Sequence, residues 1–445
     1  MKKIFIVLLL QLGAFVSFGQ QTASEHFELG VSKSKAGDFI GALASFSTAI
    51  SMNPENPQCY FNRGLAKQAL KDNRGAILDF DRSIDLSPRD AMSFLYRGLS
   101  KSYQDDNRAA LQDFNRAIEL APEDSYSYLQ RGFIRAKLND YTKAIQDFSK
   151  VIELNADNSE KYQAYYSRGL CKSTLEDYNG SIADFTKSIS INPKRAQTYA
   201  ERGKNRIKVN AYTDAVLDFD EALKLDIQDA ESFYYRGFAK AKLEEYNSAK
   251  LDLDKCIQLK NDYRAAYYAR GFVQSKLNNS KAAISDLSKA VEDITESKKG
   301  KDAYVGPMPK NVMEDLKKKV SEKSNIVDFT SDRSEVFYAR GMAAFKANDY
   351  KDALGDLNKS IELNPTYAEA HFGRGLVRSG MGDQNEAVVD CGNAIKINPK
   401  YAEAYYVRGL IKLATGDRNG GCYDLSKSGE LGNSSSYGII KDYCN

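Results

Sequence analysis

The residues of this chain whose types and spacing could do chemistry together are ten arginines and ten aspartates. Each arginine precedes a glycine, and each is followed sixteen residues later by an aspartate. The pairs are Arg63/Asp79, Arg97/Asp113, Arg131/Asp147, Arg168/Asp184, Arg202/Asp218, Arg236/Asp252, Arg270/Asp286, Arg340/Asp356, Arg374/Asp390 and Arg408/Asp424. Where the arginine is missing, at Leu29 before Gly30, the partner position is Ser45, so the two charges come and go together. This co-variation within one chain predicts contact, with the aspartate of the same unit or of the preceding one. A planar guanidinium meets a carboxylate with two parallel hydrogen bonds. A row of arginines also suits anionic ligands, but an arginine already paired to a carboxylate is satisfied. A ladder of structural ion pairs is the expectation.

Little else points to catalysis. His26 and His371 stand far apart, each at a position that Tyr or Phe fills in the other units, so packing accounts for them. There is no phosphate-binding glycine loop and no Cys-x-x-Cys. No metal, cofactor or enzymatic activity is expected. Of six cysteines, Cys256 and Cys391 fall at packing positions within the repeats, and Cys59 and Cys171 lie in helices of different units. Cys422 and Cys444 are the candidate disulfide, near in sequence at the C-terminal end, although sequence does not fix connectivity.

The elements that must position these residues recur. The Arg-Gly steps lie about 34 residues apart, with one step of about 37 and one of about 70, a period that signals a solenoid. One unit, Tyr128–Ala156, shows the design. Tyr128, Leu129, Gly132, Phe133 and Leu138 fall at helical spacing, as do Ala144, Ile145, Phe148, Val151 and Ile152. Asn139-Asp140 marks a turn between them. Asn-Pro steps such as Asn192-Pro193 and Asn364-Pro365 stop second helices.

With Gly132 and Ala144 as the small pair between two helices and Tyr128 and Phe148 in the aromatic slots, the pattern resembles the tetratricopeptide repeat (TPR). The resemblance covers about 370 of the 445 residues. It implies an all-α, right-handed superhelical solenoid of about eleven helix-turn-helix repeats. The register places repeats at 23–56, 57–90, 91–124, 125–158, 162–195, 196–229, 230–263 and 264–297, then at 334–367, 368–401 and 402–435. Residues 159–161 are extra, and lengthen a loop or the start of the next helix. A C-terminal cap over 436–445 covers the last apolar face, using Tyr437, Ile439, Ile440 and Tyr443.

The family resemblance also implies a protein-interaction scaffold whose first helices line a concave face. Tyr166, Tyr234, Tyr268, Tyr338, Phe372 and Tyr406 lie three residues before their glycines, and Phe238 and Phe272 one residue after. Lys242, Lys276 and Lys346 lie five after, as do Lys35, Lys137 and Lys208. If these positions face the groove, an aromatic floor flanked by lysines suits an extended acidic peptide or protein. Otherwise the aromatics pack between units and the lysines are a solvated face. A second reading is recognition of envelope glycan or peptidoglycan, with the rings stacking on sugars.

Residues 1–19 read as a signal peptide, with Lys2-Lys3 before an apolar run too short for the ~20 residues of a spanning helix. Export to the periplasm or the extracellular side of a Gram-negative envelope follows as an expectation, with no transmembrane span in the mature chain. The formal charge of +3 falls by two when Lys2 and Lys3 are removed, which leaves no basic footprint for nucleic acid. Residues 298–333 break the repeat. They read as a projecting insertion, a Gly/Pro loop and a charged helix over Asn311–Lys323, or as a decayed repeat. Oligomeric state is not encoded in any of these patterns.

Overall fold

The structure, a computed structural model, describes residues 22–154, 156–291 and 333–444. The signal segment and the expected helix at Asn311–Lys323 lie outside the described residues. The chain divides into two compact units, meeting in sequence at Leu175 and Glu176. The first contains α1 (Ala23–Lys35), α2 (Phe39–Met52), α3 (Pro57–Ala69), α4 (Asn73–Leu86), α5 (Ala91–Tyr103), α6 (Asn107–Leu120), α7 (Ser125–Lys137), α8 (Tyr141–Glu153) and α9 (Asn158–Thr174). The second opens with α10 (Tyr178–Ile191), α11 (Ala196–Lys208), α12 (Tyr212–Leu225), α13 (Ala230–Lys242), α14 (Tyr246–Leu259), α15 (Arg264–Lys276) and α16 (Ser280–Val291). It continues with α17 (Arg333–Lys346), α18 (Tyr350–Leu363), α19 (Ala368–Met381), α20 (Gln384–Ile397), α21 (Ala402–Ala414), α22 (Arg418–Glu430) and α23 (Ser435–Tyr443). No strand occurs among the described residues. No helix among them is long and apolar enough to cross a membrane.

The pair α7–α8 shows why these residues fold this way. Asp124 caps α7 by accepting from the Ser127 amide. Asn139 takes a left-handed backbone (φ 64°), a conformation asparagine tolerates, and turns the chain into α8. Asp140 then caps α8 by accepting from the Lys143 amide. The buried stripe of α7 holds Leu129, Phe133 and Ala136, and that of α8 holds Ala144, Phe148 and Val151. Gly132 is where the helices close. A Cβ built there would sit 2.7 Å from the Phe148 ring, so the ring itself occupies the space that glycine leaves. Full burial of such a ring contributes about 1.5–3 kcal/mol. In α13–α14 the same contact is made by Gly237 and Leu253.

α9 has 17 residues where α7 has 13, so the extra residues after 158 extend the start of a helix. In the second unit, α17 packs directly on α16. Val336 and Ala343 share one buried cluster with Leu287 and Ala290. The helix that follows residues 292–332 thus takes the place a consecutive repeat would take.

The C-terminal helix α23 departs from expectation in detail. Of the four residues expected to cover the last apolar face, Ile439 and Ile440 are half-buried, while Tyr437 and Tyr443 are 59% and 60% exposed. The helix is short and is also held at its end. A disulfide joins Cys422 to Cys444, and Arg418 Nε donates to the Tyr443 carbonyl at 2.8 Å. The Tyr437 ring edge does lie against Gly429.

Candidate functional site

Nine arginine–aspartate pairs lie wholly within one unit or the other, and each is formed inside its own helix pair. Arg131 is representative: its Nη2 donates to Asp147 Oδ1 at 2.7 Å, and its Nε donates to both carboxylate oxygens. The pairs at Arg63, Arg97, Arg202, Arg236, Arg270, Arg340, Arg374 and Arg408 repeat this geometry with Asp79, Asp113, Asp218, Asp252, Asp286, Asp356, Asp390 and Asp424. Arg168 and Asp184 belong one to each unit. All nine aspartates are buried. At Asp218 burial pushes the carboxyl above its ordinary value, against the lowering pull of Arg202 and Arg206.

The structure pairs each of these arginines with the aspartate of its own unit and not with the ladder aspartate of the preceding one; the preceding unit is reached through a different residue, sixteen positions before the arginine. While Nε and Nη2 hold the aspartate of the same unit, Nη1 crosses to the second helix of the preceding one. Arg97 reaches Asp81 at 2.7 Å, Arg131 reaches Asn115 at 2.8 Å, and Arg270 reaches Asp254 at 2.7 Å. Each such arginine therefore ties two repeats together.

A third participant escaped the sequence reading. Four residues after the ladder arginine, a second cation meets the same carboxylate. Lys67, Lys101, Arg135, Arg206, Lys240, Arg378 and Lys412 stand 2.7–2.9 Å from their aspartates. The signal was present, as a lysine or arginine at a fixed offset, but it looks like a solvated face. Two described repeats depart from it, with Gln274 and Ala344 at that position.

On the first-helix face, the structure separates the expected aromatic residues into two sets. Tyr166, Tyr234, Phe238 and Tyr268 are 1–5% exposed and pack between helices, so they present no open floor. Phe272, Tyr338, Phe372 and Tyr406 are half-buried, and Lys242, Lys276 and Lys346 are exposed. Lys276 Nζ stands 5.5 Å over the Phe272 ring, and Lys242 Nζ 5.5 Å over Phe238.

A further feature joins this face together. Tyr234, Tyr338 and Phe372 each meet a tyrosine at the start of the next first helix: Tyr263, Tyr367 and Tyr401, with ring centroids 5.0–5.2 Å apart. Those three helices have no side-chain N-cap, whereas α3, α5 and α7 are capped by Asn56, Asp90 and Asp124. The later repeats exchange a cap for an aromatic pair, two contributions of similar size at about 1 kcal/mol each. Burial pushes the Tyr263, Tyr367 and Tyr401 hydroxyls above the usual phenol range, so they stay protonated donors.

The neighbouring repeat carries a charged core of its own. Lys204 is buried with Glu201 and Glu231, each 3.2 Å from its Nζ. Burial works against the ammonium, yet the two carboxylates outweigh it and raise its pKa. The free thiols are inert packing groups. Burial raises Cys59, and it pushes Cys171, Cys256 and Cys391 up to about 12. No cluster of metal-ligating side chains occurs among the described residues.

Comparison with known proteins fits this architecture. No curated protein matches the chain. Among solved structures it is similar to YrrB, described as a TPR protein with an unusual peptide-binding site (21% identity, 43% of this chain, 97% of that one, TM-score 0.40). It is also similar to a tetratricopeptide repeat protein from Parabacteroides merdae (20%, 57%, 100%, TM-score 0.41) and to the Cut9–Hcn1 assembly (12%, 99%, 99%, TM-score 0.45). Family models described as tetratricopeptide repeat match residues 27–91, 95–159 and 162–195, and one described as TPR repeat matches 341–382. The chain, with its paired helices closed on glycine and repeated in register, belongs to the tetratricopeptide-repeat proteins.

Proposed function

We propose that the chain is a non-enzymatic protein–protein interaction scaffold of the cell envelope, and that it holds an extended acidic peptide or protein segment on the face of its first helices. The observation that carries this reading is the accessible row in the second unit. Phe272, Tyr338, Phe372 and Tyr406 offer half-buried rings, Lys242, Lys276 and Lys346 are exposed on the same first helices as Phe238, Phe272 and Tyr338, and Lys276 stands over the Phe272 ring. Rings fixed by packing lose little freedom on binding, and lysines at the rim steer and select for negative charge. The ladder arginines take no part in this reading, because their forks are filled by aspartate. Export rests on the pattern of residues 1–19.

The test is crosslinking of the mature chain in native cell envelope, followed by purification and mass spectrometry. Protein partners crosslinked at Lys242, Lys276 or Lys346, and lost when salt is raised before crosslinking, support the proposal. Glycan co-purifying in place of protein, with binding indifferent to salt, would replace it with the sugar-stacking reading.

A further inference from the structure

In seven described repeats a ladder aspartate is held by two cations, an arginine and a second one four residues on. Beside Asp286 that second position is filled by the buried amide of Gln274. Beside Asp356 it is empty, because Ala344 has no side chain to send. Asp356 is held by Arg340 alone, with Nη2 at 2.6 Å from Oδ1 and Nε at 2.8 Å from Oδ2. Its side chain is 11% exposed, against 6% or less for the aspartates of the other eight pairs described above.

Ala344 lines a hollow of about 490 Å³ between α16, α17 and α18. At the same positions of α6, α7 and α8 a smaller hollow of about 390 Å³ is lined by Arg135. Ala344 and Asp356 lie at the bottom and Ile284 forms an apolar wall. Asp349 and Asp352 stand at the rim with Lys351. Three carboxylates thus face two cations, Arg340 and Lys351, and one negative charge is left over. Residue 355 at the mouth is glycine, and a Cβ added there meets nothing within 4 Å. At the equivalent place other repeats carry Leu78, Leu217 and Leu251.

The geometry points to a binding slot for one lysine or arginine side chain of a partner protein. Its aliphatic stem would lie along Ile284 and its cation would take the second place on Asp356, with Asp352 as a further acceptor. The chemistry is the one that the other repeats satisfy from within: a cation on a three- or four-carbon stem, delivered to a carboxylate already bound to arginine. The slot lies on the second-helix side, apart from the lysine-rimmed face, and does not depend on the function proposed for that face.

The test uses the full mature chain and a short peptide, acetyl-Gly-Gly-Lys-Gly-Gly-amide, coupled by carbodiimide to nearby carboxylates and mapped by mass spectrometry. Coupling at Asp352 or Asp356 is expected to exceed that at other acidic residues at least tenfold. It should fall to background in Ala344→Lys, which supplies the missing cation internally. Gly355→Leu adds bulk at the mouth without changing any charge and should lower coupling, which guards against misfolding of the first variant. Coupling spread evenly over surface carboxylates, or unchanged in both folded variants, overturns the slot. Displacement by spermidine at equal amine concentration overturns the partner assignment in favour of a free polyamine.

Discussion

Two helix pairs of the first unit, α1–α2 and α7–α8, share their packing and differ in their charges. In α1–α2 a Cβ at Gly30 would meet the Phe46 ring at 2.5 Å, and in α7–α8 one at Gly132 would meet Phe148 at 2.7 Å. Ala42, Phe46 and Ala49 are fully buried, as are Ala144, Phe148 and Val151. Yet α7–α8 sets Arg131 and Arg135 on Asp147, whereas α1–α2 has Leu29 and Ser45, with Lys33 Nζ donating to Ser45 Oγ at 3.3 Å. The pair forms with or without the ion cluster, so glycine and the ring close the helices. The arginine and the aspartate are kept or dropped together, because either one alone leaves a buried charge unmatched, whereas the second cation varies on its own: Lys33 stays without the pair, and Gln274 and Ala344 replace it beside intact pairs.

The largest test of that view is Asp147→Ala. It strands two guanidiniums whose side chains are only 14% and 18% exposed. Breaking such a pair costs about 3–5 kcal/mol when burial is complete, and the partial exposure here favours the lower end. Thermal unfolding should show that loss, and adding Arg131→Leu and Arg135→Leu should restore part of it. A loss no greater than that of Ser45→Ala would mean the cluster is as dispensable as its absence in α1–α2 suggests.

The last repeat combines a complete cluster, Arg408 and Lys412 on Asp424, with a covalent tie. Reducing Cys422–Cys444, whose sequence separation is 22, should cost about 3 kcal/mol on the chain-entropy account. The loss should be the same whether or not Asp424 is intact, if packing and charge are independent. Differential scanning calorimetry with and without reductant measures it.

Packing should respond alike in both regions. Gly30→Val and Gly132→Val each force a branched side chain into a ring, and each should cost about 1–3 kcal/mol or more by overpacking. Denaturant melts that showed a loss only at Gly132 would tie the close contact to the ion cluster and break the comparison. The buried thiols report on the same cores. Folded Cys171, Cys256 and Cys391 stay protonated up to about 12, while unfolded ones ionise nearer 9. The native state then binds more protons across that window, so stability falls as pH rises through it, and the thiols resist alkylation at pH 8 until unfolding.

What was legible in the sequence is what recurs with one residue type. The Arg-Gly step, the aspartate sixteen residues on and the helical periodicity all repeat closely enough to predict both helices and their contact. The second cation was not legible, since Lys67, Lys101 and Arg135 alternate in type and sit among other surface lysines. The aromatic face was half legible. Tyr234 and Phe372 occupy one register position, yet Tyr234 is buried among Tyr235 and Tyr263 while Phe372 is half-exposed. Register fixes which side of a helix a ring is on, and the neighbour's side chains decide how much of it is covered. Tyr437 and Tyr443 missed for a related reason: an end helix tied by a disulfide need not bury its rings to stay in place.

The smallest effect bears most directly on why the charges travel together. Ser45→Asp installs the carboxylate in α1–α2, where Lys33 already waits at the second-cation position. One cation compensates a buried carboxylate poorly, so the single variant should be destabilised or at best neutral. Leu29→Arg alone adds a half-exposed guanidinium with no acceptor and should change little. Together they rebuild the fork, and the double variant should be more stable than the sum of the singles predicts, by about 1 kcal/mol in a double-mutant cycle. A coupling energy near zero would mean that the matched pattern along the chain reflects something other than contact energy within the helix pair. A coupling energy of the expected sign would explain the pattern, since either charge acquired alone brings no gain and only the pair does.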